Sequence, residues 1–191
     1  MSDGTTLTPA QQRMLDAYLR HTAAEFETQS VDTAMATMVE RPHVIMLPVL
    51  IGGVGREEVR HFYAESFIFA MPADVEFVPV SRTVGIDTIV EESVLRFTHT
   101  EEAVWLLPGV APTGRRVEVA VCTVVRMEDD KVAHEHVYWD QASVLVQLGL
   151  LDRATLPVVG AEAAQQLLEP RGPLNRLIAR ARAGAGGGGE E

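Results

Sequence analysis

The chain has 191 residues, 47% of them hydrophobic, with 16 lysines and arginines against 27 acidic residues and a formal net charge of −11. That composition fits one domain with a real core and a tail, and its acidity disfavours nucleic acid and anionic membrane as partners. A single cysteine, Cys122, excludes an internal disulfide and argues against a thiolate metal cluster. No apolar run reaches membrane-spanning length, and the opening Met1-Ser-Asp-Gly-Thr-Thr6 has neither the basic start nor the apolar block of a secretion signal. A cytoplasmic location is the resulting expectation.

Thr8-Pro9-Ala10-Gln11 reads as a helix start, with Thr8 as cap, Pro9 in the first turn and Gln11 completing a capping box. Met14, Leu15, Tyr18, Leu19 and Phe26 recur at helical spacing and extend that helix over four or five turns. Ser30 caps a second helix through Ala34, Met35 and Met38 that ends before Pro42. His43 to Leu47 reads as a short strand and Gly52-Gly-Val-Gly55 as a flexible connector. A third helix carries Val59, Phe62, Tyr63, Ser66 and Phe67 on one side, and Pro72 closes it.

After Pro72 the period becomes strand-like. Val75 to Val84, Thr88 to Thr100, Arg116 to Met127 and Lys131 to Tyr138 are rich in Val, Thr and Phe. Gly85-Ile-Asp87 and Glu128-Asp-Asp130 are short turns, so these strands should pair antiparallel. Leu107 to Gly114 is a longer loop. Asp140 to Leu148 is a helix that Gly149 stops. Ala161 to Leu168 and Pro173 to Ala183 are weaker helices, and the glycine-rich end has nothing to bury and should be disordered.

Three helices, a meander of long strands and a short helix make an α+β plan. Several markers recur in order between about Leu15 and Leu151: Gly52-Gly-Val-Gly55 ahead of Phe62-Tyr63, then Phe97-Thr-His-Thr100, Pro112-Thr-Gly114, and Tyr138-Trp-Asp140 with Gln147-Leu-Gly149. Together they resemble the nuclear-transport-factor-2-like superfamily, in its SnoaL-like polyketide cyclase branch. The resemblance implies a cone-shaped α+β barrel over residues 1–151, with three N-terminal helices on a strongly curved mixed or antiparallel sheet enclosing a pocket. A helical extension (152–184) and a glycine-rich tail (185–191) would follow. Relatives commonly dimerise through the outer sheet face, so a homodimer is expected.

Chemistry concentrates in His134-Glu-His-Val-Tyr-Trp-Asp140. Strand alternation places His134, His136, Tyr138 and Asp140 on one face, a row suited to moving protons on a bound organic molecule. The resemblance assigns Asp140 as a general acid–base, and the spacing from Asp140 to Gln147-Leu-Gly149 matches the family pattern. Asp140 also stands where a helix N-cap belongs. Tyr138 would donate to an enolate oxygen and His136 would relay a proton. Glu135 falls on the face opposite Asp140 and is a weaker candidate. Tyr63, His99, Trp105 and Glu92 are candidate substrate-binding residues, although which of Glu91 and Glu92 faces inward stays open.

Several chemistries can be set aside. His134-x-His136 is the only close histidine pair among the six histidines, with no third ligand at fixed spacing, so no metal is expected. Gly52-Gly-Val-Gly55-Arg56 lacks the ending of a phosphate loop, no serine sits in a Gly-x-Ser-x-Gly elbow, and Lys131, the only lysine, lies in an acidic turn. Three readings remain: a cofactor-independent cyclase, isomerase or lyase acting on an apolar carbonyl compound; a non-catalytic binding or dimerisation module; and an epoxide or lactone hydrolase, which would need two carboxyl groups.

Overall fold

The structure, a computed structural model, describes residues 6–185. The first five residues and, Ala185 apart, the glycine-rich tail expected at 185–191 lie outside them.

Helix α1 (Pro9–Phe26) opens with the expected capping box between Thr8 and Gln11 and buries Met14, Ala17, Tyr18, His21, Ala24 and Glu25 on one stripe. Helix α2 (Val31–Ala36) is capped by Ser30 but stops short of Met38. Strand β1 (Met38–Met46) begins there instead. A backbone bond from Val132 N–H to the Thr37 carbonyl draws the chain into the sheet at that point. Pro42 falls inside β1, within the irregular stretch between Met38 and His43 where its missing N–H breaks no ladder bond.

The diglycine segment is not a free connector. Ile51–Val54 forms β2, an edge strand antiparallel to β1. Gly52 makes this approach at φ +145°, and a Cβ there would run into the Val44 carbonyl. Helix α3 (Arg56–Phe62) continues through a π-helical turn at Tyr63–Phe67. Four long strands follow: β3 (Glu76–Val84), β4 (Thr88–Thr98), β5 (Arg116–Glu128) and β6 (Lys131–Trp139). Helices α4 (Gln141–Leu148), α5 (Glu162–Leu168) and α6 (Arg176–Ala185) complete the chain.

The sheet order is β2-β1-β6-β5-β4-β3. The three consecutive pairs from β3 to β6 are antiparallel, β3–β4 and β5–β6 through short turns and β4–β5 through the long loop after Thr98, whereas β1 joins β6 in parallel. The architecture is therefore α+β with a mixed sheet. One face, built on the odd-numbered residues of β4, β5 and β6, packs under α1 and supplies Ile89, Leu95, Phe97, Val117, Val119 and Val125 to the core. Helix α4 lies on β5, where Gln147 holds the Glu118 backbone through both its amide oxygen and nitrogen. The extension after Leu151 docks beside it: Ser143 donates to the Gly160 carbonyl at 2.9 Å, α5 packs on β5, and Arg180 ties down the carbonyls of Arg153 and Leu156.

Candidate active site

The face of β6 that looks into the domain carries Glu135, Val137 and Trp139, not the even-numbered row. Above Glu135, α1 presents His21 and Glu25, one turn apart, and Tyr63 enters from the π-helical turn. These four side chains are almost wholly buried. His21 Nε2 lies 3.3 Å from Glu25 Oε1, 3.6 Å from Glu135 Oε2 and 3.2 Å from the Tyr63 oxygen. Tyr63 donates to Glu135 Oε2 at 3.3 Å. On the far side of the ring, the Thr37 hydroxyl donates to the Ala34 carbonyl, so its oxygen accepts from His21 Nδ1–H at 2.6 Å.

This wiring fixes the charge state. With Nδ1–H committed to Thr37, a neutral imidazole would aim its Nε2 lone pair at three oxygens. Burial opposes a charged His21, but the Glu25 and Glu135 carboxylates outweigh it and hold the imidazole well above 6.5. Burial, together with the Glu135 charge, pushes Glu25 above its ordinary 4.5 despite the opposing pull of His21. Burial and the same two carboxylates also raise Tyr63, which stays a phenol. With the imidazole charged, the arrangement of least net charge is one carboxylate and one carboxylic acid beside it. Glu25 Oε1, close to His21 but without a well-aligned hydrogen bond, keeps spare polar capacity.

Glu25 and Glu135 of this cluster reach the lining of a cavity of about 260 Å³ between α1 and the sheet. Its walls are apolar: Met46, Phe67, Leu95, Trp105, Val137 and Trp139. Trp105 stands edge-on to Phe67 with ring centroids 5.9 Å apart. Tyr18 also lines the cavity, and burial with three nearby glutamates raises its phenol far above the ordinary 10. Glu91 reaches the lining and pairs with Arg82, which sits over the Tyr18 ring.

Several expectations are corrected in position. Asp140 does not reach the cavity: it is exposed and caps α4, its Oδ1 accepting from Ser143 N–H at 3.2 Å. Tyr138, 44% exposed, and His136 lie on the outer sheet face. The alternation of β6 was right, but the helices cover the other face. Glu92 also points outward and accepts from the Ser81 hydroxyl, leaving Glu91 as the inward member of the pair. His99 is buried but outside the cavity lining, where it pins Thr113 and Gly114 of the β4–β5 loop to the end of β4. Trp105 stands in the cavity wall, and Tyr63 belongs to the buried cluster behind it. Among the described residues none beyond Trp139 lines the cavity.

His21, Glu25 and Tyr18 went unread as candidates, although a signal existed. On α1 they fall in register with Met14 and Ala17, so an i, i+4 His–Glu pair sits inside an apolar stripe. Six histidines yield a second group on the outer face: His43 of β1 stands beside His134 and His136, with His43 Nε2 3.0 Å from His136 Nε2.

An α+β domain with a mostly apolar cavity and a buried cluster of acid–base groups beside it is what fold and site define. The chain belongs to the SnoaL-like polyketide cyclase family, whose family model matches residues 16–148. Among solved structures it is similar to a protein from Jannaschia sp. CCS1 provisionally assigned as a SnoaL-like polyketide cyclase, at 21% identity and TM-score 0.64, covering 78% of this chain and 100% of that one. IdmH from Streptomyces antibioticus, provisionally assigned as a polyketide cyclase, matches at 19% identity and TM-score 0.54, over 71% of this chain and 98% of its own. SalBIII, described as an epoxide hydrolase/cyclase-like enzyme in pyran ring formation in salinomycin, matches at 15% identity and TM-score 0.51, over 68% and 92%. At these identities the likeness speaks for the fold. No curated protein matches the chain.

Proposed function

We propose that the chain is a cofactor-independent acid–base enzyme of the cyclase or isomerase type, acting on a compact, mostly apolar carbonyl compound. Glu135 takes a proton from the carbon beside the carbonyl. The Tyr18 phenol donates to the oxygen that gains charge, and Glu25 and the His21–Tyr63 pair return a proton. The observation that carries this reading is the pair of buried carboxyls, Glu25 and Glu135, that reach a mostly apolar cavity with the His21 imidazole and the Tyr63 phenol bonded behind them. Such pairing of unlike acids in a desolvated site is how one fold keeps a base and an acid at the same pH. A cavity of about 260 Å³ is slightly smaller than typical ligand sites, which favours a small substrate or one that leaves part of itself outside.

A second reading rests on the pair Glu25 and Glu135, both of which line the cavity. One protonated carboxyl could open an epoxide while the other orients a hydroxyl or water, the kind of reaction for which SalBIII is named. The two readings separate in one assay. The chain is incubated in deuterium oxide with a panel of apolar ketones and, separately, of hydroxy-epoxides, and wild type is compared with Glu135→Gln. Deuterium entering beside the carbonyl, lost in the variant, supports the first. Opening of epoxides alone supports the second. Neither activity, together with ligand-induced thermal stabilisation, would leave a binding module.

A further inference from the structure

The outer face of the sheet holds a group that the cavity chemistry does not use. Parallel pairing sets His43 beside His134 and Ile45 beside His136. The His134 and His136 rings stack with centroids 4.2 Å apart, and His43 lies 4.7 Å and 5.1 Å from them. Each ring offers a nitrogen within 4.8 Å of the other two. The sequence-level ground for setting metal aside was a missing third ligand, and β1 supplies it from far along the chain.

Two features distinguish this group from stacked surface histidines. His43 Nε2 and His136 Nε2 face each other at 3.0 Å, close to the roughly 3.3 Å between two imidazole nitrogens on a tetrahedral zinc ion with Zn–N about 2.0–2.1 Å. His134 Nδ1 is buried and has no hydrogen-bond partner among the described residues, an open valence of the kind folded proteins seldom leave. Arg126, opposite His134, is occupied by Asp87 at 2.8 Å.

We propose that His43, His134 and His136 bind a divalent first-row ion suited to imidazole, Zn²⁺ in the first place, with a remaining position for water. The ion would tie β1 to β6 across the parallel seam of the sheet, drawing the third ring inward from its present spacing.

The full-length chain, stripped of metal with a chelator, is titrated with Zn²⁺ by calorimetry and with Co²⁺ by visible absorption. The expected result is one ion per chain, a cobalt band of the intensity of a four- or five-coordinate site, and a Tm raised by about 5–10 °C at a hundredfold excess of Zn²⁺ over Kd. His43→Gln and His136→Gln each weaken binding by about tenfold or more, while Glu25→Gln binds as wild type. Circular dichroism on the apo variants checks that they fold. The proposal falls if no saturable binding occurs below millimolar Zn²⁺. It also falls if half an ion binds per chain with a doubled mass in light scattering, since the ion then bridges two copies. Binding lost in Glu25→Gln but kept in His43→Gln would place the ion in the buried cluster, and overturns it too.

Discussion

Tyr63 donates to Glu135 Oε2 at 3.3 Å while its oxygen stands 3.2 Å from His21 Nε2. One phenol therefore couples a helix-borne imidazolium to a strand-borne carboxylate, and a proton can pass between α1 and β6 without water. Removing that link tests the coupling. Tyr63→Phe should keep the fold, cost about 1–2 kcal/mol because a buried carboxylate loses a donor, and slow deuterium exchange more than it weakens ligand binding. Urea unfolding together with exchange rates at saturating ketone reads both effects.

Glu135 and Asp140 make opposite predictions. Glu135→Gln should reduce α-carbon exchange by about 10²–10⁴-fold, the usual worth of a positioned base. Asp140→Asn should leave the rate unchanged and stability nearly so, since Asn caps a helix as well as Asp does. Asp140→Ala should cost about 1 kcal/mol through the lost cap. Side-by-side kinetics of the three variants decides between the inner carboxylate and the strand-end aspartate.

Stability should fall as pH rises, against the common pattern of acid unfolding. His21 is raised in the folded state, so its contribution is complete below 6.5 and is lost as pH climbs through the folded value. Glu25 is also raised: above 4.5 the unfolded chain gives up this proton while the folded chain holds it, so folding again weakens with rising pH. Both windows slope the same way. Urea midpoints should therefore decline from pH 6 to pH 9, and Glu25→Gln, permanently uncharged, should flatten the decline.

Gly52→Ala probes the edge of the sheet. The added methyl meets the Val44 carbonyl at a φ that side chains rarely adopt, so β2 must lift away from β1. A loss of about 2 kcal/mol or more is expected. Amide exchange should show the loss concentrated in β1 and β2, where protection would drop first.

Much of the fold was readable because local rules and the final structure agree. Thr8 and Gln11 cap α1, the turns at Gly85 and Asp129 define the hairpins, and Gly149 ends α4 at φ +74°. The second helix was read too long because Thr37 and Met38 are claimed by β6, a partner far away in sequence. The same long-range pairing hid the site. Period-two alternation groups His134, His136 and Tyr138 on one face of β6, but only α1 decides which face is inside. That decision lies in Tyr18, His21 and Glu25, which look ordinary until Glu135 is placed beneath them. The third histidine of the outer group was hidden likewise, since β1 meets β6 through no short turn.

The acid–base cluster is assembled from both ends of the matched region: His21 and Glu25 come from the first helix, Glu135 from the last strand. A nascent chain emerging from the ribosome thus carries His21, Glu25 and Tyr63 long before Glu135 exists. Until β6 arrives, α1 cannot settle on the sheet without burying an imidazole and a carboxyl that lack the Glu135 carboxyl. Docking of α1 is in this way tied to completion of the domain, and a fragment ending before Glu135 should hold its first helix loose, open to proteases and chaperones.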